Sequence, residues 1–383
     1  MLFAVLSQSV FGLLQIMMVD LFHFPEEAAN RFRVYIVAIT MGYAIVYGLI
    51  KIPKRFLIAY SGTFIVLLLT VLLFPQNQEF LESEAIKFTL PLVLPSFLCL
   101  TCVGDFDRVE NLFYKVSWVS FGLAVIYAYQ IFTGGYVFNN YSMSFSFSLL
   151  LPTLVLYTKN NVFAKMAALF LFVEIVFLGS RSAAVVIVIY IILESLFHNR
   201  KYILPVALLA IAAVAYLSYI SVFFESYGIE SRTLMLMQSD EGLIGHMSHR
   251  DEIYDLCKAK LMQNPVLGVG LYGDRLFLNG STSHNFILEV LLNFGVLIGG
   301  AFILCLIIYL FKTYKKATRE NRIYFVRYFC AVMIPLMVSG SYLKDYNLGL
   351  FLGICFLLNR QNRALNISIG KTQSYEKNSI FRL

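Results

Sequence analysis

The sequence predicts an all-α integral membrane protein: about twelve transmembrane helices with one large external loop between spans nine and ten. Three observations predict it. Of 383 residues, 59% are hydrophobic and only 14% charged, with a mean hydropathy of +0.74; soluble domains run nearer to about half apolar and about a quarter charged. The apolar residues fall into runs near the ~20 residues that cross a hydrocarbon layer as a helix. Basic residues cluster in alternate connections between those runs. A water-soluble fold of this size has too little interior for so much apolar surface, whereas a bilayer lets it face lipid tails.

The runs cover approximately 2–22, 34–50, 56–74, 87–103, 113–132, 141–158, 162–178, 182–198, 202–224, 284–311, 323–342 and 345–359. The first reads as a retained span rather than a cleaved leader. The sixth opens with Ser142-Met143-Ser144-Phe145-Ser146-Phe147-Ser148, a polar run suited to a helix facing protein or a water-filled cleft. The twelfth is short. No internal repeat, low-complexity tract or soluble domain interrupts the series.

Orientation follows from charge. The net charge is +7, but its placement matters more than its sum. Lys51, Lys54 and Arg55 follow run two, Lys159 and Lys165 run six, Arg200 and Lys201 run eight, and Lys312, Lys315, Lys316, Arg319 and Arg322 run ten. With Arg108, Lys115, Arg327 and the five basic residues of the tail, one side holds 20 of the 30 Lys and Arg. Five of the remaining ten lie in a single long loop, where the positive-inside rule has little force. Both termini are therefore expected in the cytoplasm. The chain divides into 1–224 (spans one to nine), 225–283 (large extracytoplasmic loop), 284–359 (spans ten to twelve) and 360–383 (basic cytoplasmic tail). A scatter of basic clusters between apolar runs is a topology signal, not a nucleic-acid face.

Five of the six cysteines, Cys99, Cys102, Cys305, Cys330 and Cys355, lie in apolar runs, with only Cys257 outside, so no disulfide framework is implied. Cys99-x-x-Cys102 reads as two small apolar residues of a span.

The connections expected outside carry the chemistry. That at 75–86 is acidic, with Glu79, Glu82 and Glu84, and that at 133–142 is uncharged. The large loop holds an amphipathic helix, Asp251 to Met262, closed by Asn264-Pro265. Three features stand out. Gly179-Ser180-Arg181-Ser182 places an arginine against hydrocarbon, as a functional group or as a snorkelling anchor. Arg250 precedes the amphipathic helix and the glycine-bearing Asn264-Pro265-Val266-Leu267-Gly268-Val269-Gly270; alone it reads as a surface arginine beside a loop turn. His284-Asn285 opens a long apolar helix that continues through Glu289 to Gly295. Histidine titrates near neutrality and can accept a proton from a hydroxyl; alone at an interface it reads as structural. No nucleotide-binding loop is present. His246 and His249 lack the acidic or cysteine partners a metal needs, and no metal or cofactor is expected.

Taken together, Ser180-Arg181, the segment from Arg250 through Asn264-Pro265 to Gly268-Val269-Gly270, and His284-Asn285 leading to Glu289 and Gly295 resemble the O-antigen polymerase and O-antigen ligase superfamily of bacterial envelope glycan assembly. Asn139-Asn140-Tyr141 is similar too, and the likeness covers mainly 139–300. The resemblance implies a glycosyltransferase of the bacterial cytoplasmic membrane, acting on the external face by metal-independent, inverting transfer. Its donor is a glycan on undecaprenyl diphosphate. A polymerase transfers to a second lipid-linked repeat unit, a ligase to the lipid A–core; polymerase is the preferred assignment. Candidate protein partners are a flippase and a chain-length regulator, beside membrane lipid and without nucleic acid. The implied catalytic residues are His284 as base and Arg250 and Arg181 on the diphosphate, since guanidinium groups bind phosphate bidentately. Asn285, Glu289, Arg232 and Arg275 are substrate-binding candidates; Glu289 reads equally as a buried structural carboxylate. The contrasting class is a lipid-linked glycan transporter, which expects charges at mid-depth and two similar halves. Here the spans are nearly uncharged at mid-depth, with Glu174, near the middle of span seven, the main exception.

Overall fold

The computed structural model describes residues 1–134, 136–137, 140–178, 180–198, 229–230 and 250–362. Among these the chain is helical apart from turns and one two-residue parallel pairing, Tyr136–Val137 with Ile229–Glu230. Six helices are long and apolar enough to cross a membrane. The predicted span at 202–224, Arg232, Asn139, Gly179, His246, His249 and the tail from 363 lie outside the described residues.

In chain order the helices are α1 (Leu2–Leu6), α2 (Gln8–Asp20), α3 (Glu26–Lys51), α4 (Pro53–Leu73), α5 (Pro75–Thr101), α6 (Phe106–Gly134), α7 (Asn140–Ser148), α8 (Leu150–Tyr157), α9 (Val162–Phe177), α10 (Arg181–His198), α11 (Arg250–Gln263), α12 (Asp274–Phe277), α13 (Phe286–Lys316), α14 (Arg319–Val338) and α15 (346–362). The six long apolar helices are α3, α4, α5, α6, α13 and α14. Runs one and six are each interrupted once, at Ser7 and Leu149. In α7 the polar face turns inward: Ser142, Phe145 and Ser146 are buried. Glu174 sits in the last turn of α9 rather than at its middle.

The expected connection at 75–86 is not a loop. Pro75 starts α5, as proline can where the first amide has no helical partner. The helix then widens into a π-helical stretch over Leu81–Val93 that contains Pro91. Proline removes a helical donor, and wider turns at such points mark functional or strained sites.

Two apolar clusters form the interior. One joins α1, the second half of α5, the first half of α6, α13, α14 and α15, through residues such as Phe106, Tyr328 and Phe351. The other joins α2 and α6 to α10, through Tyr127, Phe145 and Tyr190. Helices α3 and α4 keep most of their side chains outward, including Ile39, Ile50, Ile58 and Leu72. Such a surface is at ease only in lipid.

Several of the described connections gather at two poles. At one, Arg55 donates to Thr101 O (3.3 Å), Arg322 donates to Tyr314 O and Lys315 O at the end of α13, and Asn359 donates to Thr313 Oγ1 (2.7 Å). Near it, fully buried Arg327 pairs with Glu110 and donates to Thr158 Oγ1 (2.8 Å). At the other pole, the start of α5, the segment from α11 to α13 and the turn after α14 bond to one another. That pole carries the candidate site.

Candidate functional site

The second pole is built around Arg275. Its side chain is fully buried, in the short helix α12 near the end of the large loop. Nε donates to Glu84 Oε2 (3.2 Å), Nη1 to Glu289 Oε1 (2.8 Å) and to Asp274, and Nη2 to Ser341 Oγ (2.8 Å). The guanidinium also lies over the Tyr272 ring, 5.1 Å from its centre. Burial alone would weaken its hold on the proton, but Asp274 and Glu289 outweigh that and shift it upward. Glu289 additionally accepts from Ser341 Oγ (2.5 Å) and Tyr342 N (3.1 Å). Glu84 reaches a second cation, Lys344 (2.5 Å). Two cations thus face three carboxylates, and four stretches distant in sequence are tied into one network.

Hydrogen bonds around this core extend the tie. Asn77 donates to Val269 O (2.8 Å) and Leu271 O (3.1 Å). Thr89 bonds the Tyr272 hydroxyl (2.5 Å) and donates to Leu343 O (2.7 Å). Tyr272 adopts φ 61° and His284 φ 52°. Left-handed backbone at bulky residues costs of order 1–3 kcal/mol and persists only where surroundings over-determine it. Three of the four non-glycine residues with such φ among the described residues lie between 272 and 284.

Two sequence candidates therefore have roles other than the expected ones. Arg275 is not a free grip for diphosphate: its donors are engaged by carboxylates and it has no exposed surface. Glu289 is the structural alternative that the sequence left open, a buried carboxylate pairing Arg275 with the turn after α14. Asn285 caps α13, its Oδ1 accepting from Leu288 N (3.0 Å), which orients the helix start.

His284 sits one residue before that cap, half-buried. Ser281 Oγ approaches Nε2 and Thr282 Oγ1 approaches Nδ1, each at 3.4 Å. Its pKa is lowered from the ordinary 6.5, first by burial and then by the positive charges of Arg250, Arg275 and Lys344, with Asp274 opposing. Arg250, far away in sequence order from the helix it faces, is thus an electrostatic neighbour of His284. It is half-buried at the start of α11, and among the described residues no ion pair or hydrogen bond engages it. Arg181 opens α10; nothing further is described of its side chain. Arg232 lies outside the described residues.

Lys344 was missed by sequence reading. Its signal was its position: a lone lysine in a short connection on the side with few basic residues. Cys257, buried beneath α13, is no nucleophile candidate; burial, then Asp274 and Glu289, push its thiol up to about 12.

The pole thus combines an imidazole whose pKa is lowered, an arginine whose charge acts on it and which no ion pair or hydrogen bond engages among the described residues, and a rigid ionic base. That arrangement can deprotonate a hydroxyl and stabilise developing negative charge. Compared with protein-family models, curated proteins and solved structures, the chain finds no match among any of them.

Proposed function

We propose that this protein is a polysaccharide polymerase of the bacterial cytoplasmic membrane, joining undecaprenyl-diphosphate-linked repeat units on the external face. The observation that carries the proposal is half-buried His284 at the start of α13, where the large loop meets that helix, with Arg250 at the start of α11 among the charges that act on it. In the reaction, His284 removes the proton from the acceptor hydroxyl of one unit. That oxygen attacks the anomeric carbon of the other unit from the face opposite its diphosphate. The carbon–oxygen bond to diphosphate breaks, the configuration inverts, and lipid diphosphate leaves. Arg250, with Arg181 as the second guanidinium, neutralises the charge on the leaving group. The Arg275 network positions His284 and the start of α13 without touching substrate.

The proposal includes twelve spans and cytoplasmic termini. It draws support from two sets of contacts: Arg55 with Thr101 and Asn359 with Thr313 join segments expected inside, and Arg275 with Glu84 and Ser341 joins segments expected outside.

The test is polymerisation by purified protein in vesicles containing lipid-linked repeat units, read as a product ladder. His284→Ala at normal expression is expected to lose about 10²–10⁴-fold in rate; full activity would remove the base. Transfer to lipid A–core acceptor with no ladder would make the enzyme a ligase.

A further inference from the structure

Helix α13 is broken within its apolar length. Gly295 has φ 74° and ψ 173°, outside helical geometry, while the helix continues on both sides. An intact helix would bond Val296 N to Leu292 O. Here the segment after α11 takes both groups: Val296 N donates to Pro265 O (2.7 Å), and Val269 N donates to Leu292 O (2.6 Å). The contact leaves no room for a side chain. A Cβ on Gly295 would stand 2.0 Å from Val266 O, and one on Gly268 2.1 Å from Leu292 O.

The depth of this junction follows from charge. The first charged residue toward the far end of α13 is Lys312. Counting back the ~20 residues of a hydrocarbon crossing reaches Leu292, so Gly295 lies about one turn inside the apolar layer. Irregular backbone is tolerated there only where its polar groups are satisfied. The exchange with α13 meets that condition, together with Gly268 N donating to Asn264 O (2.9 Å) and proline, which has no amide, at 265.

The side chains on this junction point outward and are apolar. Met262 is 82% exposed, Val266 57% and Leu267 54%. They adjoin Val296, Leu297 and Ile298 of α13, which are 47%, 70% and 58% exposed. Val266 and Leu267 meet α13 at Gly295, next to these residues, with exposed Gln263 and Asn264 between them and Met262; the α13 part faces lipid because α13 is a spanning helix.

We propose that the Met262–Gly270 segment is a membrane-inserted anchor: Met262, Val266 and Leu267 enter the acyl region beside α13, with bilayer lipid as their partner. The anchor fixes the end of α11, and so sets the height of Arg250 over the membrane. It stands on the helix break and the apolar surface, independently of the reaction proposed above.

The chain has one tryptophan, Trp118, so a Trp118→Phe background accepts single reporters. Leu267→Trp and Met262→Trp proteins are reconstituted in phosphatidylcholine vesicles, with or without bromine on the upper acyl chain. Both reporters are expected to emit blue-shifted light, to lose most of it to brominated lipid, and to resist iodide. Ile298→Trp gives the lipid-facing reference and Lys258→Trp the aqueous one. Met262 makes little contact, so its variant keeps the fold even if Leu267→Trp does not. Iodide quenching of the Met262→Trp reporter, with none by brominated lipid, would overturn the anchor.

Discussion

At the scale of single residues, two arginines of one loop have opposite fates. Arg275 is enclosed by Asp274, Glu84 and Glu289, whereas among the described residues no ion pair or hydrogen bond engages Arg250, whose charge acts on His284. Sequence treats them alike, because whether a guanidinium is neutralised depends on which carboxylates fold against it. Their substitutions should separate. Arg275→Met leaves carboxylates buried without their cation, which typically destabilises by about 3–5 kcal/mol; a lowered thermal midpoint in detergent checks it, and an unchanged midpoint with lost turnover would make Arg275 a substrate contact after all. Arg250→Gln should leave the midpoint unchanged. Because burial and Arg250 both disfavour the imidazolium of His284, the acid limb of kcat/KM should lie below the ordinary histidine value of about 6.5. Removing the Arg250 charge should move the limb of the residual activity to higher pH. A limb that stays in place would disconnect the two residues.

At the scale of elements, glycines that sequence reading could assign only to turns or close approach prove to be the two halves of one junction. Gly268 and Gly295 face each other's backbones, 27 residues apart in sequence (295 minus 268). Gly295→Ala is expected to reduce folded yield and lower the midpoint sharply, since the backbone there is open essentially to glycine alone. Gly300→Ala, in the same helix with open space around it, serves as the neutral comparison. Other element boundaries were legible. The amphipathic helix expected at 251–262 is α11, Arg250–Gln263, ended by Asn264-Pro265. The acidic stretch at 75–86 was not legible as helix. Its glutamates suggest a solvated connection, yet Glu84 is turned inward by Arg275 and Lys344, an outcome of tertiary pairing.

At the scale of the whole molecule, six helices among the described residues meet the length and hydropathy of a span, and the other described apolar runs form shorter, interrupted or more buried helices. A run such as 2–22, broken at Ser7, keeps its composition but loses the continuity by which a span is recognised in structure. The twelve-span arrangement predicts that a fluorescent protein fused after Leu383 fluoresces, while periplasmic alkaline phosphatase fused there is inactive. Phosphatase activity at that end would reverse the tail and reduce the spans to an odd number.

Composition, run length and basic clustering determined by themselves that this chain is a multi-pass helical membrane protein, because solvation by lipid acts on each segment locally. Arg250 and His284 came forward as candidates only through the family resemblance of the segments that carry them. Only the tertiary structure decided which charges are free and which are paired, that Asn285 is a cap, and that the loop docks into a break in α13. Those outcomes depend on contacts between residues far apart in the chain, whose electrostatic and steric terms exist only once the helices have packed.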